Sequence, residues 1–508
     1  MSKCPIDPRH IQTWLYNMNM NLALPWTPSY TQTSTEDDAS SSITPEQTLA
    51  YWALAATIAF TVFVYSLEGN LDARQKESYN KTTFPKELAL TVSQIDEVKE
   101  NKKKKDNDSD ADDDKPLLPQ LQAKFKNAQS YGLDKIHFGM ISSTYDTLES
   151  VLLLLLGFLP YMWDCSVAMG AKYDWTEEND EIKISLIFLA LTTVVGTCTA
   201  LPFELYSTFQ IEKKHGFNKQ TMGLFFSDKA KSLVLTMLIG GPFVALLLLI
   251  IQKSGPYFYL YVWAFMFCFS VIMMTVVPVV IMPLFNKYET LPEGDLKTRI
   301  YALADTLQYP LTKLFVMDGS KRSAHSNAFM FGFGKHKRIV LFDTLLTQVD
   351  SDEILAILGH ELGHWKLGHT LSNFVITQVY FGAAFYIFSL CYTSTDLYAA
   401  FGFDDPDRPT PTIIALLLFF QTIWAPVDKA LSFCLTVFSR HNEFAADRFS
   451  VDLDMSAKLQ SGLCKIHLEN LGAMCPDPWY SMYHYSHPPL VERLSAMMEM
   501  DKQKQKKE

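Results

Sequence analysis

Apolar residues along this chain gather in blocks of about twenty, the length that crosses a bilayer core of roughly 30 Å. Seven such blocks run at approximately 48–67, 147–166, 184–203, 232–251, 257–280, 372–393 and 412–437. The second and fourth carry the densest runs, Leu152 to Leu156 and Leu246 to Ile251, whereas the last is interrupted by Pro426, Asp428 and Lys429. Ionisable side chains at membrane depth face protein or a water-filled cavity, so this interruption predicts a wet interior beside the last helix. The pattern predicts an α-helical polytopic membrane protein with seven transmembrane helices in a lipid bilayer.

Charge orients those helices. The segments after the first, third and fifth blocks are basic (Arg74, Lys76, Lys81, Lys86; Lys213, Lys214, Lys219; Lys287, Lys321, Arg322, Lys335, Lys337, Arg338). Those after the second and sixth are acidic (Asp174, Glu177, Glu178, Asp180, Glu181; Asp396, Asp404, Asp405, Asp407). The positive-inside rule then puts the basic segments and the C-terminus in the cytoplasm and the N-terminus on the opposite side. Residues 1–47 are polar and contain no signal-peptide core, so the first block is expected to serve as the targeting signal. Lys102 to Lys105 followed by an acidic run to Asp114 predicts a disordered insert near 97–115. The net charge of −11 argues against nucleic acid as a ligand. The eight cysteines include no C-x-x-C pair and fall mostly in or beside apolar blocks, which predicts free thiols.

The longest basic segment, between the fifth and sixth blocks, contains candidate chemistry. His360-Glu361-Leu362-Gly363-His364 reads H-E-x-x-H. Asp350 with Glu353 three positions on forms a capping signal, and Ile354, Leu355, Ile357 and Leu358 follow at helical spacing. On a helix, positions i and i+4 share a face, so both imidazoles can reach one Zn²⁺ with Glu361 beside the remaining position. A catalytic zinc takes three protein ligands. The preferred third is Glu443, just after the last apolar block, with Asp447 one turn on to accept the free N–H of a ligating histidine. His441 and His369 are rivals; His369 lies five residues after His364, which on a helix rotates it off the shared face. Lys337 to Phe342 reads as a short strand, and Asn327 upstream either hydrogen-bonds a substrate backbone laid along a sheet edge or completes a turn. The domain division is then a polar tail (1–47), helices one to five (48–285), a catalytic segment (286–371), helices six and seven (372–437) and a C-terminal segment with the third ligand (438–508).

The seven blocks, Ile211-Glu212-Lys213-Lys214-His215-Gly216-Phe217-Asn218-Lys219-Gln220-Thr221, Leu358 to Trp365 around the H-E-x-x-H, Glu443-Phe444-Ala445-Ala446-Asp447 and His487-Pro488-Pro489-Leu490-Val491-Glu492-Arg493-Leu494 together resemble the CAAX prenyl protease 1 family, type I integral membrane zinc endopeptidases of the endoplasmic reticulum. The likeness runs from about residue 48 onward. It implies helices enclosing a water-filled chamber, closed on the cytoplasmic side by a zincin-like α+β catalytic domain. It also implies one Zn²⁺ per chain and removal of the last three residues from prenylated C-terminal C-a-a-X peptides, in some members with a second, upstream cut. Asn327 would bind substrate backbone, and His487 and Arg493 would line the site near the scissile carbonyl, in the endoplasmic reticulum membrane and in some settings the inner nuclear membrane. The residues alone allow another use for the last pair: His487 opening a helix before Pro488 and Pro489, with Arg493 paired to Glu492. Lys504 and Lys506 form a C-terminal K-x-K-x-x, the pattern of a retrieval address. Two other functions fit part of the pattern. One is a membrane quality-control zinc protease acting on damaged or translocon-clogging polypeptides; the other is a non-catalytic multispan scaffold or transporter, against which the intact Glu361 argues.

Overall fold

A computed structural model of the protein describes residues 45–106, 115–332, 334–405 and 407–506. Its first half is helical: α1 (Pro45–Tyr79), α2 (Lys86–Asp106), α3 (Leu117–Leu155), α4 (Phe158–Gly170), α5 (Glu177–Tyr206), α6 (Met222–Leu235), α7 (Gly241–Lys253) and α8 (Phe258–Val276). π-Helical turns at Ser207–Glu212 and Thr236–Gly240 prolong α5 and join α6 to α7. Among the described residues, five helices are long and apolar enough to cross a membrane, and seven spans result if each of two broken helix pairs counts as one. All seven apolar blocks have their helical counterpart. The second is not straight, because the chain bends by 65° between α3 and α4, where Gly157 takes a left-handed φ of 66°.

Helices inside a soluble core bury their apolar side chains, and these do not. Only 6% to 22% of the apolar windows of the five spans is buried, and Trp52, Phe63, Leu238 and Val379 lie open on helix surfaces. A bilayer satisfies this arrangement, since backbone groups bond within each helix while side chains meet lipid.

Of the insert expected to be disordered near 97–115, residues 97–106 are helical. α2 continues through the lysine block to Asp106, because lysine is a good helix former and favoured near a helix C-terminus; residues 107–114 lie outside the described residues. The tail expected over 1–47 falls outside them up to residue 44. The Asp96 carboxylate on α2 accepts from the Leu117 and Leu118 N–H groups at 2.9 and 3.0 Å, capping α3.

The second half alternates short strands with helices: β1 (Tyr288–Thr290), α9 (Asp295–Thr306), β2 (Leu311–Met317), β3 (Ala328–Phe331), β4 (Lys337–Phe342), α10 (Asp343–Gln348), α11 (Ser351–Lys366), α12 (His369–Cys391), α13 (Thr395–Ala399), α14 (Thr412–Gln421), α15 (Ala425–Asp452), α16 (Ser456–Glu469), α17 (Pro478–His484) and α18 (Leu490–Gln505). The sheet order is β1-β2-β4-β3, with β2 and β4 parallel and the other two pairs antiparallel. The predicted strand is β4, with its ends as expected, and it lies inside the sheet. The edge strands are β1 and β3, and β3 begins at the residue after Asn327.

The chain forms two compact units, one of residues up to Tyr65, Ser143–Val195 and Leu390–Trp424, the other of Ser66–Ser142, Gly196–Ser389 and Ala425–Glu508. In the first, Arg408 pairs with both Glu177 and Asp164, and Trp163 packs edge-on to Phe188 at 5.9 Å. The second holds the main core. Leu314 and Ile339 of the sheet, Leu358 and Leu362 of α11, and Leu459 and Leu494 of α16 and α18 share it with Leu88, Val92, Leu121 and Phe125 of α2 and α3. The segment between the first two apolar blocks thus helps build the core that carries the catalytic helix.

Candidate active site

α11 starts where its sequence said it would. The Asp350 carboxylate accepts from the Glu353 N–H at 2.8 Å, and Glu353 returns a bond to the Asp350 N–H at 2.9 Å, a complete capping box. Glu353 is also buried against Ser461 (2.6 Å) and Lys465 (2.8 Å) of α16, so the cap fixes the helix in the core as well as starting it. Gly359 and Gly363 let α15 come close: a methyl group at Gly363 would lie 3.0 Å from Phe449, and one at Gly359 2.9 Å from Met455. That close approach brings Glu443, on α15, to the histidines of α11.

His360, His364 and Glu443 converge. The two Nε2 atoms are 3.2 Å apart, His360 Nε2 is 3.4 Å from Glu443 Oε2, and His364 Nε2 is 3.3 Å from Glu443 Oε1. Three ligand atoms about 2.1 Å from a tetrahedral zinc would stand roughly 3.4 Å from one another. The proton inventory points the same way. His360 Nδ1 lies 3.0 Å from Asp447 Oδ1, and the tautomer that donates there leaves a lone pair on Nε2. His364 Nδ1 lies 2.8 Å from His369 Nδ1, with the same consequence when it donates. Glu443 is buried, and its Oε2 accepts no hydrogen bond among the described residues, although His487 Nδ1 is only 2.9 Å away, because the imidazole N–H is not aimed at it. Facing lone pairs with no proton between them are resolved by a cation, and two imidazoles with a carboxylate suit zinc.

Asp447 is fully buried and held by Arg493, whose Nε and Nη2 donate to its two oxygens at 2.9 and 2.6 Å. Burial disfavours charge on the His360 imidazole, but Asp447 and Glu443 outweigh it and hold its pKa above the ordinary value. Burial likewise works against the Arg493 charge, and the paired Asp447 raises its pKa. The third guanidinium nitrogen, Nη1, stands 3.4 Å from Glu443 Oε2. Glu492, which the sequence offered as an alternative partner for Arg493, pairs instead with Arg440 at 2.8 Å. His487 precedes α18, whose first residue is Leu490, and remains largely exposed beside Glu443. Glu361 is half-buried, adjacent to His360 on α11. Asn327 is exposed at the head of β3, where its own Oδ1 accepts from the Ala328 N–H at 2.8 Å, leaving the amide NH₂ for other contacts.

His369 does not join the ligand group, but the reason differs from the one expected. α11 ends at Lys366, and Gly368, with φ 74°, turns the chain so that His369 opens α12 and reaches His364 from outside the helix. The wheel argument assumed a continuous helix. A glycine just after a basic last turn is a stop signal, and Lys366-Leu367-Gly368 was that signal.

Apolar helices open to lipid, together with an H-E-x-x-H helix that meets a glutamate from a second helix, define an integral membrane metallopeptidase. Residues 75–287 match the CAAX prenyl protease N-terminal domain, described as five membrane helices, and residues 290–501 match peptidase family M48. The chain is 44% identical to a CAAX prenyl protease 1 homolog of Oryza sativa subsp. japonica, over 89% of this chain and 99% of that protein. It is 43% identical to the Homo sapiens homolog (74% and 86%) and 35% identical to CAAX prenyl protease 1 of Saccharomyces cerevisiae (88% and 95%). The crystal structure of S. mikatae Ste24p superposes with a TM-score of 0.75 at 35% identity, covering 88% of this chain and 98% of that one. The chain belongs to the CAAX prenyl protease 1 family of M48 metallopeptidases.

Proposed function

We propose that this protein is a zinc endopeptidase that removes the three C-terminal residues from prenylated C-a-a-X proteins at the endoplasmic reticulum membrane. The observation that carries the chemistry is the convergence of His360, His364 and Glu443 beside Glu361. Zinc bound by the first three would supply a Lewis acid that polarises the scissile carbonyl and lowers the pKa of water. Glu361 takes the proton of the attacking water and returns it to the leaving amine. His487, with Arg493 Nη1 behind it, faces negative charge as it grows on the carbonyl oxygen. Asn327 and the open edge of β3, a strand that packs on α11, hold the peptide as an added strand, so that register comes from backbone bonds and little side-chain sequence is read.

The prenyl group fits the setting. Each buried methylene contributes roughly 0.8 kcal/mol, so a farnesyl chain concentrates the peptide at apolar helices. Lys504 donates to the carbonyls of Val451 and Asp452, which closes the end of α15. The test is cleavage of a farnesylated C-a-a-X peptide and its unprenylated twin by detergent-purified protein, with and without a zinc chelator. Chelator-sensitive loss of three residues, with a much higher kcat/KM for the farnesylated peptide, is the expected result; equal kcat/KM at matched free concentration would overturn the substrate class and leave a general membrane zinc protease.

A further inference from the structure

The segment His215-Gly216-Phe217-Asn218-Lys219-Gln220-Thr221 takes no part in the chemistry above, yet every position in it is structurally committed. His215 Nε2 is 2.6 Å from Asp134 Oδ2; Gly216 turns the chain with φ 85°; Asn218 Oδ1 accepts from the Gln220 N–H at 2.8 Å; and Thr221 caps α6 through the Leu224 N–H. Between these, Phe217–Lys219 lies against Arg322–Ala324 as a short antiparallel ribbon. Lys219 N–H donates to the Arg322 carbonyl and Ala324 N–H to the Phe217 carbonyl, both at 3.0 Å, around an Asn218–Ser323 bridge.

Side chains lock the ribbon. The buried Phe217 ring stacks on the His325 imidazole, with centroids 4.1 Å apart and planes 16° from parallel. His325 Nδ1 meets Asn470 Oδ1 at 3.0 Å, and Arg322 grips Asp228 of α6 through two bonds of 2.9 and 3.2 Å. Two residues after His325 come Asn327 and the β3 edge, with nothing but Ser326 between. The outer side of β3 has no strand paired to it among the described residues, so its position is set by β4, by α11 on which it packs and by the segment that precedes it.

We propose that the Phe217–Lys219 loop is a positioning element for substrate: by clasping Arg322–His325 it sets where Asn327 and the β3 edge stand relative to the catalytic helix. Because a displacement of about 1 Å in a bound peptide costs on the order of a hundredfold in rate, a clasp one ribbon away from the edge has leverage that its distance from the metal ligands conceals. The inference rests on the strand-edge reading of substrate binding given above.

The experiment uses the full-length, zinc-loaded protein and two inhibitors, acetohydroxamate, which needs only the metal, and a peptide hydroxamate, which also needs the strand edge. In Phe217→Leu and in Asp228→Asn, peptide hydroxamate affinity should fall about tenfold or more and KM for the farnesylated peptide should rise, while acetohydroxamate affinity and zinc content stay within about twofold. Asp228→Glu, which keeps the charge, should recover most of the loss. Parallel loss of both inhibitors or of zinc would show a general folding role and overturn the proposal, as would unchanged peptide affinity. If the unaltered protein, or Asn327→Ala compared with it, shows no contribution of the strand edge to peptide hydroxamate binding, the strand-edge reading itself fails, a result distinct from failure of the clasp.

Discussion

The two histidines on α11 are held in opposite ways. His360 is buried, and behind it stands a carboxylate that is itself buried and gripped by two guanidinium nitrogens, so the imidazole, Asp447 and Arg493 form one rigid chain from α11 through α15 to α18. His364 is more exposed, 19% of its side chain against 6%, and its support is another imidazole at the head of α12, a helix whose apolar face lies open to lipid. One arm belongs to the soluble core and is braced by charge; the other belongs to the start of a membrane helix and is braced by a single hydrogen bond. The first arm should therefore resist displacement more than the second when its supporting residue is altered.

The largest effects come from the point where the arms meet. Glu443→Ala should abolish both cleavage and stoichiometric zinc, whereas Glu361→Gln should abolish cleavage with about one zinc per chain retained, measured by metal analysis on the same preparations. Zinc lost from Glu361→Gln would make Glu361 a ligand and end the assignment of it as the base. Next in size is the rigid arm: Asp447→Asn should lower zinc affinity by about 10–100-fold in a chelator competition, because the carboxylate that fixes the His360 tautomer is gone and Arg493 is left buried without its partner. The His364 arm should respond less. His369→Ala is expected to cost no more than about tenfold in zinc affinity, with His369→Gln recovering part of it; a loss as large as that of Asp447→Asn would erase the contrast between the arms.

The effect smallest on zinc affinity lies away from both arms and separates acid loss of stability from acid loss of metal. His467 on α16 packs its ring against Gly472, and its Nε2 is fully buried with no hydrogen-bond partner among the described residues, although the residue as a whole is only partly covered. Burial pushes its pKa down from 6.5 to about 4. The unfolded chain therefore binds the proton first, so the contribution of neutral His467 is complete above pH 6.5 and is lost as pH falls from there toward 4, about 3 kcal/mol at most. Denaturant midpoints of metal-free protein between pH 7 and pH 4.5 should fall accordingly, and His467→Gln should flatten that part of the slope.

Much of the site was legible because its signals are local. A capping box needs only residues three apart, and both sides of the one at Asp350 and Glu353 formed as read. The i and i+4 histidines needed only a helix. Glu443 was found by asking which downstream acid shared a helix face with a second acid, and Asp447 is in fact the partner of His360. The apolar blocks needed only length and composition. By contrast, the strands β2 and β3, the bidentate use of Arg493 and the partnership of His369 with His364 depend on which surfaces meet. β3 is four residues long and alternates no clear pattern, and its importance comes from standing at the sheet's edge, a fact of strand order. Gly359 and Gly363 look like filler until α15 is packed against them.

The sequence by itself determined what each segment can be: which stretches need lipid, where the catalytic helix begins, which side chains can bind a metal and which can move a proton. These follow from transfer free energy, helix geometry and side-chain chemistry, all of which act over a few residues. The tertiary structure decided which of these segments meet, bringing α15 within reach of α11, seating Arg493 on Asp447 and tying a loop after the third span to the segment that leads into β3. Such choices depend on close packing between residues from 46 to 133 positions apart, Arg493 with Asp447 and with His360 among them, and no local pattern encodes the shape of a surface that exists only once its partner is in place.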